Sequence, residues 1–233
     1  MAVIDIYLAR HGQTAANAAA ILQGSGTNPP LNDCGKRQSA DLAEAMKDEK
    51  LDWIITSALE RAIETANAVA KYHKDTPFLS DARLNEISWG KLDGARFADI
   101  KPTVDSVVEK WQSGDFDAKI EGGESANEGK ARILAAFADL LAVARERKYR
   151  KLIVCIHGRI MRVIMASLVD RDLSKMQRFP HTNCSYHQIR VDLGDDPEAK
   201  IDPEKLTFEP IRIDVRDHLA NLAKVEPSIC CNL

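Results

Sequence analysis

The alternation of strand-like and helix-like segments predicts an α/β protein: a three-layer α/β/α sandwich with a mostly parallel sheet and a short inserted helical cap. Two observations predict it. Short apolar runs, such as residues 53–56 and 152–156, are bounded by polar residues as buried strands are. Each run leads directly into a segment whose apolar residues recur every three or four positions, as in a helix packed on a sheet. Ligands of such folds bind at the carboxyl ends of the strands.

The first half of the chain predicts two strands, each followed by a helix. Residues 5–10 form the first strand, and residues 34–47 have an apolar helix face with Gly35 at the start. Trp53–Thr56 is a buried strand that passes into Ser57–Glu60, a capping-box pattern that opens a helix to Ala70.

The second half continues the same alternation. Ser125 and Glu128 form a second capping-box pattern, which opens a long helix through Ala144. The remaining elements are a strand at 152–156, a helix at 160–168, and strands at 182–191 and 206–215. The pattern weakens between Gly90 and Gly123. We expect one domain over residues 1–233, with residues 90–123 as a cap over the sheet edge.

The composition excludes several functional classes. The chain has 233 residues, of which 45% are hydrophobic and 29% charged, as in an ordinary globular protein. Its 32 basic and 35 acidic residues give a net charge of -3, which provides no broad basic field for nucleic acid or acidic membranes. Any anion-binding site must therefore be local. The sequence does not indicate an oligomeric state.

The cellular location expected from the sequence is the cytoplasm. No signal-peptide pattern follows Met1, no apolar run is long enough to span a membrane, and the five cysteines do not form a disulfide pattern. Cys230 is the fourth residue counted from the C-terminus, the position of the cysteine in a prenylation box. The match is poor because Asn232 takes an aliphatic position and no basic cluster precedes it, so we expect no lipid anchor.

Basic side chains follow three of the predicted strands. Arg10-His11 ends the first strand, Ser57 ends the second with Arg61 one turn into the next helix, and His157-Gly158 ends a later one. In a parallel sheet these ends meet at one edge. Two arginines, two histidines and helix N-termini around one small space are what a dianionic phosphoryl group requires.

These residue types also predict how the reaction would run. A neutral histidine is a nucleophile when one ring nitrogen donates a hydrogen bond and the other keeps its lone pair, and Gly12 beside His11 would allow the backbone to come close enough. Hydrolysis further needs a group that gives a proton to the leaving oxygen and then takes one from water. Glu86, in an apolar loop, is the best candidate, and Glu124 is its rival. His73, His181, His187 and His218 are expected to be structural.

The motifs resemble the histidine phosphatase superfamily, the phosphoglycerate mutase-like clan. The segment Leu8–Asn17 (LARHGQTAAN) is similar to the family signature. Later segments resemble further conserved sequence blocks of the family, in the same order. They are Gln23-Gly24, Ser57 to Ala66, Leu84 to Gly94, Gly122 to Ser125, and His157-Gly158.

The resemblance implies a role for each matching residue. His11 would become phosphohistidine, and Glu86 would be the proton donor and acceptor. Arg10, Arg61 and His157 would bind the phosphoryl group. Further substrate contacts would come from Asn17, Gln23, Gly24, Ser57 and Gly158. The family needs no metal. For this chain we expect no cofactor, and the partner expected is a small phosphorylated substrate.

Three functions remain open within this clan: a phosphatase, a mutase and a non-catalytic regulator. Cofactor-dependent phosphoglycerate mutases carry a tryptophan followed by two arginines in the cap, whereas this chain has Trp111-Gln112-Ser113. The missing arginines favour a phosphatase over a mutase, because charge pairing dominates phosphate recognition. A non-catalytic phospho-ligand-binding regulator is disfavoured by the complete set of motif residues. Arg159, where many phosphatases of this clan have a small residue, would favour a substrate with a second anionic group if it points inward.

Overall fold

One six-stranded sheet organises the protein, for which a computed structural model describes residues 3–194, 196 and 198–219. The strands run β1 Val3–Arg10, β2 Trp53–Thr56, β3 Phe78–Ser80, β4 Lys151–Ile156, β5 Tyr186–Asp192 and β6 Phe208–Val215. Their order across the sheet is β3-β2-β4-β1-β5-β6. The sheet is mixed, because β1 to β4 are parallel to one another while β5 and β6 are antiparallel to their neighbours.

The register of the central strands brings their carboxyl ends together. Arg10 at the end of β1 lies beside Ile156 at the end of β4, and Thr56 at the end of β2 pairs with Cys155. The segments that follow these three strands therefore start from one edge of the sheet, as the sequence predicts.

Helices cover both faces of the sheet. They run α1 Ala15–Ala18, α2 Asp33–Met46, α3 Glu60–Ala70, α4 Phe97–Gln112, α5 Ala126–Arg147 and α6 Gly158–Met165. The alternation of side chains along β1 creates the two interfaces. Ile6 and Leu8 pack in the cluster that contains α5 and α6, whereas Tyr7 and Ala9 pack in the cluster that contains α2 and α3. The predicted three-layer α/β/α architecture is confirmed.

The structure corrects the sequence-based elements in three places. Helix α3 begins at Glu60 with Leu59 as its N-cap and no side-chain cap, so the capping-box prediction for Ser57 is wrong. The two late strands begin at Tyr186 and Phe208, four and two residues later than predicted, and the short edge strand β3 was not predicted. The second capping box is confirmed. Ser125 Oγ accepts from Glu128 N at 3.1 Å, and Glu128 Oε2 accepts from Ser125 N at 2.8 Å.

Residues 90–123 contain a 3₁₀ turn at Gly90–Leu92 and helix α4. The inner face of α4 joins the same buried cluster as α5 and α6. Trp111 is fully buried, its ring centroid lies 5.5 Å from that of Trp89, and its Nε1 donates to the Ala118 carbonyl at 2.8 Å. Trp111 is therefore a packing residue that joins the cap to the core.

The remaining predictions concern membranes and cysteines. Among the described residues, no helix is long and apolar enough to cross a membrane. Cys34, Cys155 and Cys184 are buried, reduced thiols. The prenylation question at Cys230 lies outside the described residues.

Close contact between two glycine-containing segments positions the loop after β1. A methyl group on Gly35 would lie 2.0 Å from the carbonyl oxygen of Gln13, and one on Gly12 would lie 2.5 Å from the carbonyl oxygen of Gly35. Only glycine lets the first turn of α2 approach the backbone that carries His11.

We expect Gly35→Ala to lower the free energy of unfolding by about 2 kcal/mol, because backbone atoms cannot move aside as a flexible side chain can. Urea unfolding measures the change. The neighbouring exposed Lys36→Ala is the control and should change it by less than about 0.5 kcal/mol. Equal stability of Gly35→Ala and the wild type would contradict the close contact.

Candidate active site

A narrow cavity of about 50 Å³ opens at the carboxyl edge of the parallel strands. Eight of the predicted site residues line it: Arg10, His11, Asn17, Gln23, Gly24, Arg61, Glu86 and Gly158. His157 and Ser57 do not line it. His157 is fully buried, and its ring centroid lies 5.1 Å from that of His11. The fold thus gathers residues from five separate segments of the chain around a space large enough for a phosphoryl group.

His11 follows the last residue of β1 and has one defined tautomer. Its Nδ1 lies 2.7 Å from the Gly12 carbonyl oxygen, which can only accept, so Nδ1 carries the proton. Nε2 consequently keeps its lone pair. Burial, followed by the charges of Arg61 and Arg10, holds the pKa of His11 well below its usual range. The ring is therefore neutral at pH 7, the form a nucleophile requires.

Arg61 is almost fully buried and connects three parts of the site. It donates from Nη2 to the Gly24 carbonyl at 2.8 Å, from Nη1 to the Thr27 carbonyl at 3.0 Å, and from Nε to His157 Nδ1 at 3.2 Å. Burial is the main cause that lowers its pKa to about 10, so the guanidinium remains charged at pH 7. Within the described part of the chain, two of its five N–H groups are not used in these bonds and can bind an anion in the cavity.

His157 has the opposite tautomer to His11. Because Nδ1 accepts from Arg61, the proton lies on Nε2, which donates to Ser57 Oγ at 2.7 Å. Burial and the neighbouring Arg61 keep the pKa of His157 well below its usual range. Ser57 therefore orients His157 instead of capping a helix, and the structure does not place it in contact with the cavity.

Arg10 is held by a histidine that the sequence predicts to be structural. Arg10 Nη1 donates to the His181 carbonyl at 2.6 Å and lies 3.2 Å from His181 Nδ1. The same imidazole lies against Gly158, where a Cβ atom would be 3.0 Å from the ring. His181 thus packs between a cavity arginine and the first residue of α6.

Helix α1 and the loop that follows it provide another part of the cavity lining. Asn17 is buried and closes a capping box with Thr14, whose hydroxyl also donates to Gln23 Oε1 at 3.0 Å. Gly24 has a φ of 54°, and a side chain there would collide with Asp93. Glycine is required at this position because the chain must turn in the left-handed region while its carbonyl accepts from Arg61.

Glu86 is fixed by backbone donors at the start of α6. Its Oε1 accepts from Ile160 N at 2.8 Å, and its Oε2 accepts from Arg159 N at 3.0 Å. Oε1 also accepts from Ile87 N at 2.9 Å. These bonds hold the carboxyl group at a helix N-terminus, facing the cavity that contains His11.

Glu124, the rival of Glu86, lies outside this cavity. It forms an ion pair with Arg132, in which Nη2 lies 2.6 Å from Oε2. Arg132 in turn donates to the carbonyl groups of Arg83 at 2.7 Å and Asn85 at 2.9 Å. The pair therefore supports the loop that carries Glu86.

Arg159 points inward. It is 7% exposed, lines the cavity, and its Cζ lies 5.7 Å from the centroid of the Trp89 ring. Burial lowers its pKa, and the charge of Glu86 acts in the opposite direction. The cavity consequently contains three buried guanidinium groups and one carboxyl group, an arrangement that favours an anionic ligand. Among the described residues, no cluster of three or more His, Cys, Asp or Glu side chains could hold a metal ion.

Comparison with known proteins identifies the family. A family model of the histidine phosphatase superfamily (branch 1) matches residues 6–198. The chain belongs to the histidine phosphatase superfamily.

Relatives in the superfamily carry different names. A probable phosphoglycerate mutase, GpmB, of Yersinia pestis (strain Pestoides F) is 30% identical over 195 residues, which cover 84% of this chain and 87% of the relative. The GpmB of Proteus mirabilis (strain HI4320) is 31% identical over 199 residues, with the same coverage of 84% and 87%.

Solved structures share the fold of this protein. A mycobacterial glucosyl-3-phosphoglycerate phosphatase superposes with a TM-score of 0.77 at 23% identity, covering 91% of this chain and 99% of the other. A phosphoglycerate mutase from Bacillus anthracis str. Sterne gives a TM-score of 0.76 at 21% identity, covering 94% and 96%. These likenesses show a common fold and leave the reaction open.

Sequence reasoning missed three residues that support the site. Besides His181, Thr65 Oγ1 accepts from Gly12 N at 3.0 Å, and Asn183 Nδ2 donates to the His11 carbonyl at 2.9 Å. Thr65 lies one turn after Arg61 on α3, so helical spacing was an available signal. Asn183 and His181 lie about 170 positions from the residues they hold, and no local pattern indicates such contacts.

The buried histidines predict how stability depends on pH. Burial lowers the pKa values of His11, His157 and His181 in the folded protein, whereas histidine in an unfolded chain titrates near pH 6.5. Below about pH 6.5 the unfolded chain therefore binds protons that the folded protein does not. The contribution of these neutral rings to the free energy of unfolding is therefore complete above that pH. It is lost as the pH falls, by up to about 1.4 kcal/mol per pH unit for each ring.

Urea unfolding of the wild type and His181→Gln at pH 7.5 and pH 5.5, in buffers without phosphate, measures one of these contributions. We expect the loss of stability between the two pH values to be smaller in the variant by about 1 kcal/mol. Identical losses in the two proteins would contradict a neutral, buried His181.

Proposed function

We propose that this protein is a phosphatase that hydrolyses a small phosphomonoester through a phosphohistidine intermediate on His11. The observation that carries the proposal is the state of His11. Its Nδ1 proton is fixed by the Gly12 carbonyl, so Nε2 has a free lone pair at a cavity that also contains Arg10, Arg61 and Glu86.

In the first step, Nε2 of His11 attacks phosphorus and the bond between phosphorus and the ester oxygen breaks. Glu86, in its protonated form, gives its proton to the departing oxygen, which leaves as an alcohol. Arg10 and Arg61 neutralise the phosphoryl oxygens while the group changes geometry. His157, whose tautomer is set by Ser57 and Arg61, acts on the anion indirectly, because it accepts from Arg61 and so orients that guanidinium.

In the second step, the Glu86 carboxylate removes a proton from water, and the water oxygen attacks phosphorus. The bond between Nε2 and phosphorus breaks, the lone pair returns to His11, and inorganic phosphate leaves. Glu86 ends protonated, ready for the next substrate. The backbone hydrogen bonds at the start of α6 keep this carboxyl group directed at the cavity in the resting enzyme.

A phosphoglycerate mutase is the second candidate. It is favoured by the inward position of Arg159, which supplies a cation for a second anionic group of the substrate, and by relatives named probable phosphoglycerate mutase. Against it, the described cap residues offer no arginine pair after Trp111, which is itself fully buried. Hydrolysis therefore remains the favoured outcome.

Incubation with 3-phosphoglycerate, with and without 2,3-bisphosphoglycerate, separates the two candidates. We expect release of inorganic phosphate that does not depend on the bisphosphate. Formation of 2-phosphoglycerate in preference to phosphate release would replace the phosphatase by the mutase.

We expect His11→Ala to lower hydrolysis of p-nitrophenyl phosphate by a factor of roughly a thousand or more, because no other group can accept the phosphoryl group in its place. The matched control is His73→Ala, which changes a partly buried histidine bonded to the Met46 carbonyl and should retain wild-type activity. Turnover by His11→Ala at the wild-type rate would refute the nucleophile. No turnover of any ester by the wild type would favour a non-catalytic phosphate-binding protein.

Glu86→Gln should separate the two steps. The p-nitrophenolate group leaves without a proton, so the variant should still transfer phosphate to His11 but hydrolyse it slowly, because the base for water is missing. We therefore expect an acid-labile, alkali-stable phosphoprotein to accumulate in Glu86→Gln and not in the double variant His11→Ala/Glu86→Gln. Equal labelling of the two variants would place the phosphate on another residue.

A further inference from the structure

The guanidinium of Arg159 has hydrogen-bonding capacity that the described part of the chain does not use. The residue is 7% exposed, yet its Nε and Nη1 atoms form no hydrogen bond with any of the described residues. A buried polar donor without a partner costs free energy, and a buried charge costs more. This arrangement is expected where a ligand provides the partner.

The surroundings of Arg159 fix its position. Its backbone N–H donates to Glu86 at 3.0 Å, and its guanidinium lies on the face of Trp89 at 5.7 Å. The aromatic ring compensates part of the charge but offers no acceptor for the Nε and Nη1 donors. Arg159 is therefore held beside the proton-transfer group with two donors available.

A second, wider cavity adjoins the one at His11. It has a volume of about 560 Å³ and shares the side chains of Phe97, Val104 and Arg159 with the narrow cavity of about 50 Å³. The narrow cavity is far smaller than a typical ligand pocket of roughly 300–1,000 Å³, whereas the wider one falls in that range. A phosphoryl group fits the first space, and the remainder of a substrate must extend past Arg159 into the second.

The other charged groups around the wider cavity already have partners. Arg162 Nε donates to the Phe179 carbonyl at 2.9 Å, and its Nη1 donates to Gln177 Oε1. Arg178 lies 3.2 Å from Asp170, and Asp105 accepts from Lys101. Among the described residues that line this cavity, Arg159 is thus the buried cation with donors still to be satisfied.

We propose that Arg159 determines substrate specificity by binding a second anionic group, a carboxylate or a second phosphate, on a phosphomonoester whose body occupies the wider cavity. The proposal rests on the proposed phosphatase function, because it assumes that the phosphoryl group occupies the cavity at His11. Charge-assisted bonds from Nε and Nη1 to the anion complete the hydrogen bonding of Arg159.

Two matched pairs of esters test the proposal. 3-Phosphoglycerate and glycerol 3-phosphate differ only in a carboxylate that replaces a hydroxymethyl group, and propane-1,3-diol bisphosphate differs from its monophosphate only in the second phosphate. We expect the wild type to prefer the more anionic member of at least one pair. The pair that shows the preference identifies the anion.

Arg159→Gln should remove that preference. We expect kcat/KM for the preferred ester to fall about tenfold or more, mainly through KM, while kcat/KM for its less charged partner changes less than about threefold. Arg159→Lys, which keeps the charge without the planar fork, should recover part of the loss. Arg147→Gln, which removes an exposed cation at the end of α5, should leave both esters unaffected.

Other outcomes overturn the proposal. Equal losses for both members of each pair in Arg159→Gln would make Arg159 a positioning residue for Glu86 or Trp89. A similar loss in Arg147→Gln would show that the effect comes from the overall charge of the protein and not from a site at Arg159. Inhibition by inorganic phosphate, measured in every variant, reports whether the site at His11 is still folded. If Arg159→Gln does not fold, Arg159→Lys and Arg159→Met are compared in its place.

Binding measurements separate failure of this proposal from failure of the proposed function. Calorimetric titration of the same esters into His11→Ala and His11→Ala/Arg159→Gln requires no turnover. A preference for the more anionic ester that Arg159→Gln abolishes supports the anion subsite even if the wild type hydrolyses neither ester. Equal affinity of His11→Ala for both members of each pair refutes it, whatever the activity of the enzyme.

Discussion

The buried guanidinium of Arg61 is the interaction on which the rest of the site depends. It lies at the start of α3, close to the end of β2, and joins the loop at Gly24 and Thr27 to the imidazole of His157 at the end of β4. Removal of a charged group from water is costly unless its hydrogen bonds are satisfied. The described residues satisfy three of the five donors, and the other two can bind an anion in the cavity at His11.

Burial of the imidazole rings explains why His11 and His157 stay neutral beside several arginines. Desolvation and neighbouring positive charge both disfavour imidazolium, so the pKa values of His11 and His157 lie well below their usual range. Each ring then has one donor and one acceptor nitrogen, and the partner of each donor differs. His11 donates to Gly12 and keeps Nε2 for chemistry, whereas His157 donates to Ser57 and accepts from Arg61.

Sequence patterns predicted the elements that are determined by residues close together in the chain. The apolar runs of β2 and β4, the helices that follow them, and the Ser125–Glu128 cap depend on neighbours a few positions away. Ser57 shows where this fails. Its hydroxyl could cap the next helix or bond His157, which is 100 positions later, and the tertiary contact prevailed. The alternation that predicts β5 and β6 carries no information about strand direction, so their antiparallel pairing could not be anticipated.

The sequence by itself determined which chemical groups are available and in what order they occur. These groups are two histidines, each followed by glycine at the end of a strand, two arginines, and a glutamate in an apolar loop. These follow from residue type and spacing, which the chain carries directly. Only the tertiary structure decided how neighbours divide their roles. Glu124 pairs with Arg132 while Glu86 faces the cavity, and Arg159 turns inward against Trp89. Such choices depend on packing between segments distant in the chain, because a side chain's partners are set by the space and charge that other elements leave around it.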